Sequence, residues 1–311
     1  MFETYDTKEF GAYIKNIRVS LGLSQDKVAR QTKLSTETLR KIENGLVVPR
    51  LDTLEYLSRA YKTDVLKVLG RFRVSHILIK LYEHIDQVIL NYSIEKIRVL
   101  DDMVKEIKSN TQICQLIEPN DIHQVQHMIE GISAFYQNQH QYALDRFSDG
   151  LKISMGQFST ENFQKHFYSL FESRLLLMIS MCYAALKDFS IANNMLTFTL
   201  DLITHNEITC RETMRLVTKI YFNLAYNSHT ENRLDEVISY TSKGIELCQQ
   251  NESMYLLHGL YYRRGIAKYL SNKNDYLEDL NNAILLLKLT GKEDLVQLYK
   301  DKTSTIYQID L

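Results

Sequence analysis

Helix breakers are scarce in this chain of 311 residues, which has two prolines and eleven glycines. Inside a helix proline costs about 3 kcal/mol and glycine about 1 kcal/mol relative to alanine, so the scarcity points to an all-α protein. Cysteine is sparse as well. Cys114, Cys182, Cys210 and Cys248 lie far apart with neither C-x-x-C spacing nor a dense pattern, which excludes a disulfide framework and reads as reduced, mostly core thiols. Long apolar runs are missing: a stretch such as Leu175 to Ile179 is far below the roughly 20 residues that cross a bilayer, and no membrane partner is expected. The N-terminus carries Glu3 and Asp6 where a secretory signal carries basic residues, and no apolar stretch follows. The expected location is the cytoplasm. Nucleotide-cradling glycine loops, the His-Glu-x-x-His zinc signature and nucleophile motifs are all absent from the sequence, so no catalytic residue, cofactor or metal is expected. The nearest thing to a metal site, His123 and His127 with Glu130 beyond them, reads as surface or packing.

What is present is an ordinary globular balance, 45% hydrophobic and 24% charged, with a net charge of −1. The charge is unevenly placed. Residues 1–70 hold 12 Lys and Arg against 9 Asp and Glu, and the remainder 25 against 29. A basic excess of this size does not by itself prove a nucleic-acid partner, because arrangement matters more than sum.

The local pattern is more specific. Phe10, Tyr13, Ile14 and Ile17 recur at spacings of three and four, the mark of one helix face, and Gly22 ends that helix. Ser24 is placed to cap a second helix with Val28 and Ala29 inward, and Ser35 to cap a third containing Leu39 and Ile42, closed by Gly45. Pro49 precedes a fourth with Leu51, Leu54, Leu57 and Ala60 in register, and Val65, Leu66 and Leu69 suggest a fifth. The run Leu23-Ser24-Gln25, Val28-Ala29, Leu34-Ser35, Leu39, Ile42-Glu43-Asn44-Gly45, Pro49, Leu51, Leu54, Leu57 resembles the Cro/C1-type (XRE) helix-turn-helix family over about 60 residues. The resemblance implies a double-stranded DNA partner. It makes the helix opened by Ser35 the recognition helix in the major groove, with Thr36, Glu37, Arg40 and Lys41 toward base edges, and Gln25 and Asn44 where phosphate contacts are usual. Arg40 can give two hydrogen bonds to guanine, and Glu37 can accept one from cytosine. Glu43 stands where the family has an acidic residue of structural role. Arg50 departs from the family's usual serine cap and is expected to reach a phosphate.

Beyond Arg73 the pattern stays helical. Ile77, Leu78, Leu81, Ile85, Val88 and Ile89 form one face of an expected linker helix from Val74 to Asn91, and a polar interval with Asn110, Pro119 and Asn120 is the best break. This divides the chain into a DNA-binding domain (1–70), a linker with first repeat-like helices (71–119) and a repeat domain (120–311). In the last, Gly131, Ala143, Phe147 and Gly150 have the spacing of a tetratricopeptide helix pair. Ser180, Phe189, Ala192 and Leu196 repeat it more weakly, followed by Leu224-Ala225, Leu234 and Val237, and then by Ala267, Tyr276 and Leu280. Taking Ala143, Ala192, Val237 and Asp279 as equivalent gives spacings of 49, 45 and 42, which exceed the usual period of 34. Some helices or connections must therefore be longer, and the copies resemble degenerate tetratricopeptide repeats stacked as a superhelix.

In such a stack the first helix of each pair lines a concave surface suited to an extended peptide. Asn223 occupies a place where related repeats often have an asparagine bonding the ligand backbone, and an amide both donates and accepts. Arg174, Lys219, Tyr226, Asn227, Tyr261 and Arg264 are expected nearby, with Arg174 or Arg264 facing a peptide carboxylate. Together the two halves resemble the peptide-pheromone-responsive regulators of Gram-positive bacteria, the Rgg, PlcR and PrgX types. That resemblance implies a quorum-sensing transcription regulator, acting as a homodimer on an operator with two half-sites and controlled by a short oligopeptide. Two other readings stay open: a constitutive repressor of phage or plasmid type, whose DNA binding ignores peptide, and a repeat scaffold, which forms no sequence-specific DNA complex.

Overall fold

The structure, a computed structural model, describes residues 5–72, 75–91, 96–109, 118–205 and 210–311. Cys114, Asn110 and Val74 lie outside the described residues, as do the side chains of Ile77 and Leu78. The described residues form sixteen α-helices and no strand, an all-α architecture. They divide into two compact units, Met1–Ile129 and Glu130–Leu311.

The first unit opens with five helices: α1 (Thr7–Ser20), α2 (Gln25–Gln31), α3 (Thr36–Glu43), α4 (Leu51–Tyr61) and α5 (Val65–Gly70). The two serines expected as caps are caps: Ser24 Oγ accepts from Lys27 N at 3.1 Å, and Ser35 Oγ from Thr38 N at 3.0 Å. Asp6 and Asp64 do the same for α1 and α5. Each satisfies a backbone donor that the helix itself leaves orphaned. One core joins all five through Phe10, Ile14, Val28, Leu39, Ile42, Leu54, Leu57, Tyr61, Val65, Val68 and Leu69. Gly11 lets α1 lie directly on the end of α3, since a Cβ there would stand 2.4 Å from the Ile42 carbonyl oxygen. Two apolar positions in the expected register face water instead, Leu51 at 69% and Leu66 at 48% exposure. Thr53 and Tyr61 take the inner face of α4 with Leu54 and Leu57.

The helix expected as a linker is α6 (Ser75–Asn91), with Leu81, Ile85, Val88 and Ile89 buried; it lies inside the first unit. It packs on α7 (Ile97–Ser109), whose Ile97, Leu100, Val104 and Ile107 are buried at steps of three and four. Pro119 proves to be the first residue of a helix, α8 (Pro119–Tyr136), a position where its fixed φ and missing N–H do no harm.

Helix pairs follow: α8 with α9 (His140–Met155), α10 (Leu170–Ala185) with α11 (Phe189–Thr204), α12 (Arg211–Thr230) with α13 (Leu234–Gln250), and α14 (Leu257–Leu270) with α15 (Tyr276–Leu289). A single helix, α16 (Glu293–Tyr307), ends the stack. Ala143, Ala192, Val237 and Asp279 are each the fourth residue of the second helix of a pair, and each is at most 2% exposed. Small size there allows the crossing; Gly131 on α8 completes it for the first pair, because a Cβ would meet the Phe147 ring at 2.4 Å. The turns inside the pairs also agree: Asn138, Lys187, Asn232 and Asn272 all have φ between 55° and 68°, a region asparagine enters more readily than most residues. The excess period has visible sources. The α9–α10 connection spans 156–169, anchored by buried Phe158 and Phe163, and α12 runs to 20 residues.

At the fourth crossing a carboxylate replaces the small apolar residue. Asp279 receives Arg264 through Nε at 2.8 Å and Nη2 at 2.6 Å, and Lys268 Nζ at 2.9 Å. Arg264 Nη1 also donates to Ser242 Oγ at 3.1 Å, so one guanidinium ties α13, α14 and α15 together. Removing one member of a buried ion pair leaves the other charge unmatched, at about 3 to 5 kcal/mol. Asp279→Ala is therefore expected to destabilise the repeat unit by about that amount in urea unfolding, whereas the exposed Asp275→Ala should cost far less.

Candidate DNA-reading helix and ligand groove

On α3 the residues split cleanly by face. Leu39, Ile42 and Glu43 are buried, while Thr36, Glu37, Arg40 and Lys41 are exposed, as are Ser35 before the helix and Asn44 after it. Burying three residues of an eight-residue helix fixes its rotation, so the opposite face is presented as a unit. Within that face the charges are unequal. Lys41 Nζ sits 2.9 Å from Glu37 Oε1 one turn away, and its hydrogen bond holds the Glu37 carboxyl below its usual range. Among the described residues Arg40 has no ion-pair partner. The guanidinium with five donors in a fork is thus the uncompensated cation of the helix.

The helix is held in place by Glu43, whose side chain is 1% exposed. Arg18 of α1 donates to it from Nε at 2.6 Å and Nη2 at 2.9 Å, and Gln25 of α2 from Nε2 at 2.8 Å. Arg18 Nη1 continues to the Leu23 carbonyl at 2.8 Å. This is the structural role expected of Glu43, and it draws Gln25 into the same knot: the Gln25 amide nitrogen is spent inside the domain. Arg50 starts α4 with extended backbone and no side-chain cap, exposed. Beside it the loop residues Leu46, Val47 and Val48 are exposed as well.

In the second unit, α10 touches α12, and α12 touches α14, so the first helices of successive pairs form a row. On this row Phe222 and Tyr226 of α12 face Arg263 of α14, whose guanidinium carbon lies 4.9 Å and 5.0 Å from the two ring centroids. Lys219 Nζ lies 5.8 Å from the Phe222 ring. Gly259 leaves room for Phe222, since a Cβ there would stand 2.9 Å from its ring. Further along, Tyr262 and Tyr299 stack with centroids 4.1 Å apart, and His258 Nδ1 is 3.3 Å from the Tyr299 hydroxyl. Burial, with Lys292 nearby, lowers the His258 pKa to about 4, so this imidazole is neutral at physiological pH.

The expected peptide residues are only partly brought together. Asn223 and the half-exposed Tyr226 lie on the row, with the Asn223 amide nitrogen donating to the Lys219 carbonyl at 2.8 Å. Lys219 is 2% exposed. Asn227 is 1% exposed and donates to Asn193 Oδ1 at 2.8 Å, joining α12 to α11. Arg174, 3% exposed, donates to the Leu170 carbonyl of its own helix at 3.3 Å. Arg264 is occupied by Asp279 and lies over Tyr261, 5.3 Å from its ring centroid; Tyr261 in turn accepts from Gln249. These three polar groups are turned into the protein, because each has found a partner there that water would otherwise supply. The residues absent from the sequence expectation are Phe222, Arg263, Tyr262, His258 and Tyr299. Of the cysteines, Cys182 and Cys248 are buried, the former pushed up to about 12 by burial, but Cys210 is exposed and caps α12.

Residues 9–68 match the family model described as a helix-turn-helix domain; α2, the turn at 32–35 and α3 form that motif. The chain has no significant sequence match among curated proteins. Solved structures share its fold over nearly the whole length. Bacillus thuringiensis PlcR in complex with the peptide PapR7 and DNA has a TM-score of 0.70 at 16% identity, covering 94% of this chain and 99% of that one. ComR from S. thermophilus in complex with DNA and its signalling peptide ComS has a TM-score of 0.61 at 12% identity, with 95% and 99% covered. The Streptococcus dysgalactiae SHP pheromone receptor Rgg2 has a TM-score of 0.58 at 14% identity, again with 95% and 99% covered. The architecture is therefore that of these regulators, an N-terminal helix-turn-helix domain followed by tetratricopeptide-like helices.

Because Glu43 carries three side-chain donors from two neighbouring helices, Glu43→Ala is expected to lower the stability of the first unit by about 3 to 5 kcal/mol, mostly through the stranded Arg18. Urea unfolding checks this. The exposed Lys41→Ala should change stability by no more than about 1 kcal/mol.

Proposed function

We propose that this protein is a sequence-specific DNA-binding transcription regulator controlled by a short signalling peptide, in the manner of quorum sensing. The observation that carries the reading is the pairing of a rigidly held helix-turn-helix, with Arg40 uncompensated on its recognition helix, with a repeat unit whose row of first helices presents Asn223, Tyr226, Phe222 and Arg263. Among proteins of this fold, PlcR and ComR are described in complex with DNA and a peptide. In this chain, Thr36, Glu37, Arg40 and Lys41 face base edges, and Ser35, Gln25, Asn44 and Arg50 face phosphates. The peptide lies along α12 and α14, its backbone bonded by Asn223. No helix among the described residues is long and apolar enough to cross a membrane, consistent with action in the cytoplasm.

The functional unit is a homodimer on two half-sites, since one helix-turn-helix buries little DNA surface. Leu285, Leu289, Leu298 and Ile306 on the last two helices are all exposed, an apolar surface that a second copy would cover. Light scattering should report a dimer at micromolar concentration.

A gel shift on the DNA flanking the protein's own gene, with and without short peptides encoded beside it, tests the whole reading. Binding that responds to peptide is the expected result; binding indifferent to every such peptide points to a constitutive repressor, and no specific complex to a scaffold. Arg40→Ala should weaken operator binding by about 1 to 3 kcal/mol with random DNA less affected and the fold intact. Asn223→Ala should weaken peptide binding by about 1 to 3 kcal/mol in calorimetry while DNA binding without peptide survives.

A further inference from the structure

At the N-terminal end of α12 lies a recess that none of these roles uses. Where α12 begins, a cavity of 690 Å³ is walled by Arg211 and Arg215, by the segment before α14 with Glu252, Ser253 and Tyr255, and by Lys292 between α15 and α16. Three cations from two separate parts of the chain meet one carboxylate there. Among the described residues none of the three cations has an ion-pair partner. Arg215 lies against the Tyr255 ring, its guanidinium carbon 5.8 Å from the centroid, and its Nε is shut off from solvent with no hydrogen-bond acceptor. The volume falls in the range of small-molecule sites, and the start of a 20-residue helix adds its positive end to the side-chain charge.

The recess also shares a helix face with the groove. Arg211, Arg215, Lys219, Phe222 and Tyr226 follow one another along α12 at steps of four, four, three and four, which keeps them on one helix face. A chain lying over Tyr226 and Phe222 and running toward the start of α12 arrives at Arg215 and Arg211.

We infer that this recess is a carboxylate subsite, which takes the C-terminal carboxylate of an oligopeptide lying along α12. The inference rests on the peptide reading of the groove, but a free polycarboxylate has the same chemistry, and the test separates the two. A pool of random short peptides with free C-termini, and the same pool amidated, are passed over the immobilised full-length protein and the retained peptides are measured. The wild type should retain acids over amides by about tenfold, the scale of one charge-assisted pair. That preference should vanish in Arg211→Gln/Arg215→Gln and shrink in Lys292→Gln, whose side chain is exposed. Tyr226→Ala should lower retention of both pools alike. If the wild type retains acids and amides equally, the subsite is wrong while the groove stands. If neither pool is retained, but citrate raises the melting temperature of the wild type and not of the double variant, the peptide reading is wrong and the subsite serves a free carboxylate. If citrate also does nothing, the subsite is wrong.

Discussion

Several helix pairs among the described residues close because a residue of little bulk stands where two helices cross. In the first unit Gly11 brings α1 within van der Waals reach of the carbonyl end of α3, and in the second Gly131, Ala143 and Ala192 do the same for their pairs. Close crossing is what gives a short helix enough contact to be held: α3 has eight residues, too few to be stable alone, and its orientation is set by what it leans on. The same constraint spaces the first helices so that aromatic rings on α12 can meet a guanidinium on α14. Function in both units depends on backbones lying close.

Where bulk is not removed, charge does the joining. Glu43 and Asp279 are both nearly inaccessible carboxylates, and both are gripped by an arginine from a neighbouring helix plus a second donor. A buried ion pair contributes little net stability compared with apolar packing, because desolvation offsets most of the attraction. Its effect is on geometry. A bidentate arginine accepts only a narrow range of directions, so Glu43 fixes how α1, α2 and α3 meet, and Asp279 fixes how α14 and α15 meet. In the proposed role precision at α3 matters, because base contacts tolerate little misplacement, whereas apolar packing alone would allow the helix to rock.

The sequence carried the crossings better than the faces. Ala143, Ala192, Val237 and Asp279, picked out by spacing, are the fourth residues of four second helices, since a small or inward residue recurring at a fixed offset leaves a mark that periodicity reads. Arg264 was expected at the ligand and is tied to Asp279, while its neighbour Arg263 lies on the ring pair. One residue along a helix is a rotation of about 100°, so a face is lost by an error that leaves the helix itself correctly placed. Asn227, one turn beyond Asn223, was lost for another reason: its partner Asn193 is on a different helix, and no local pattern announces a contact 34 residues away. Leu51 and Leu66 lie in the expected helices yet face water, since apolar residues at helical spacing also occur on surfaces.

A peptide that fits a rigid groove equally well in every state of the protein would shift nothing, however tightly it bound. The proposed control therefore requires that the row of first helices have more than one arrangement, and the contacts between successive pairs indicate how costly a change would be. They include neutral hydrogen bonds from Asn227 to Asn193, from Tyr262 to Thr303 and between His258 and Tyr299. Each contributes about 0.5 to 1.5 kcal/mol. Exchanging one or two of them between states matches the 1 to 3 kcal/mol over which allosteric coupling usually works. By contrast, the Arg264–Asp279 clamp acts within a pair and is too strong to be broken in that range. A strong ionic clamp inside the last pair, beside neutral hydrogen bonds between pairs that cost little to exchange, is what a stack needs in order to shift without unfolding.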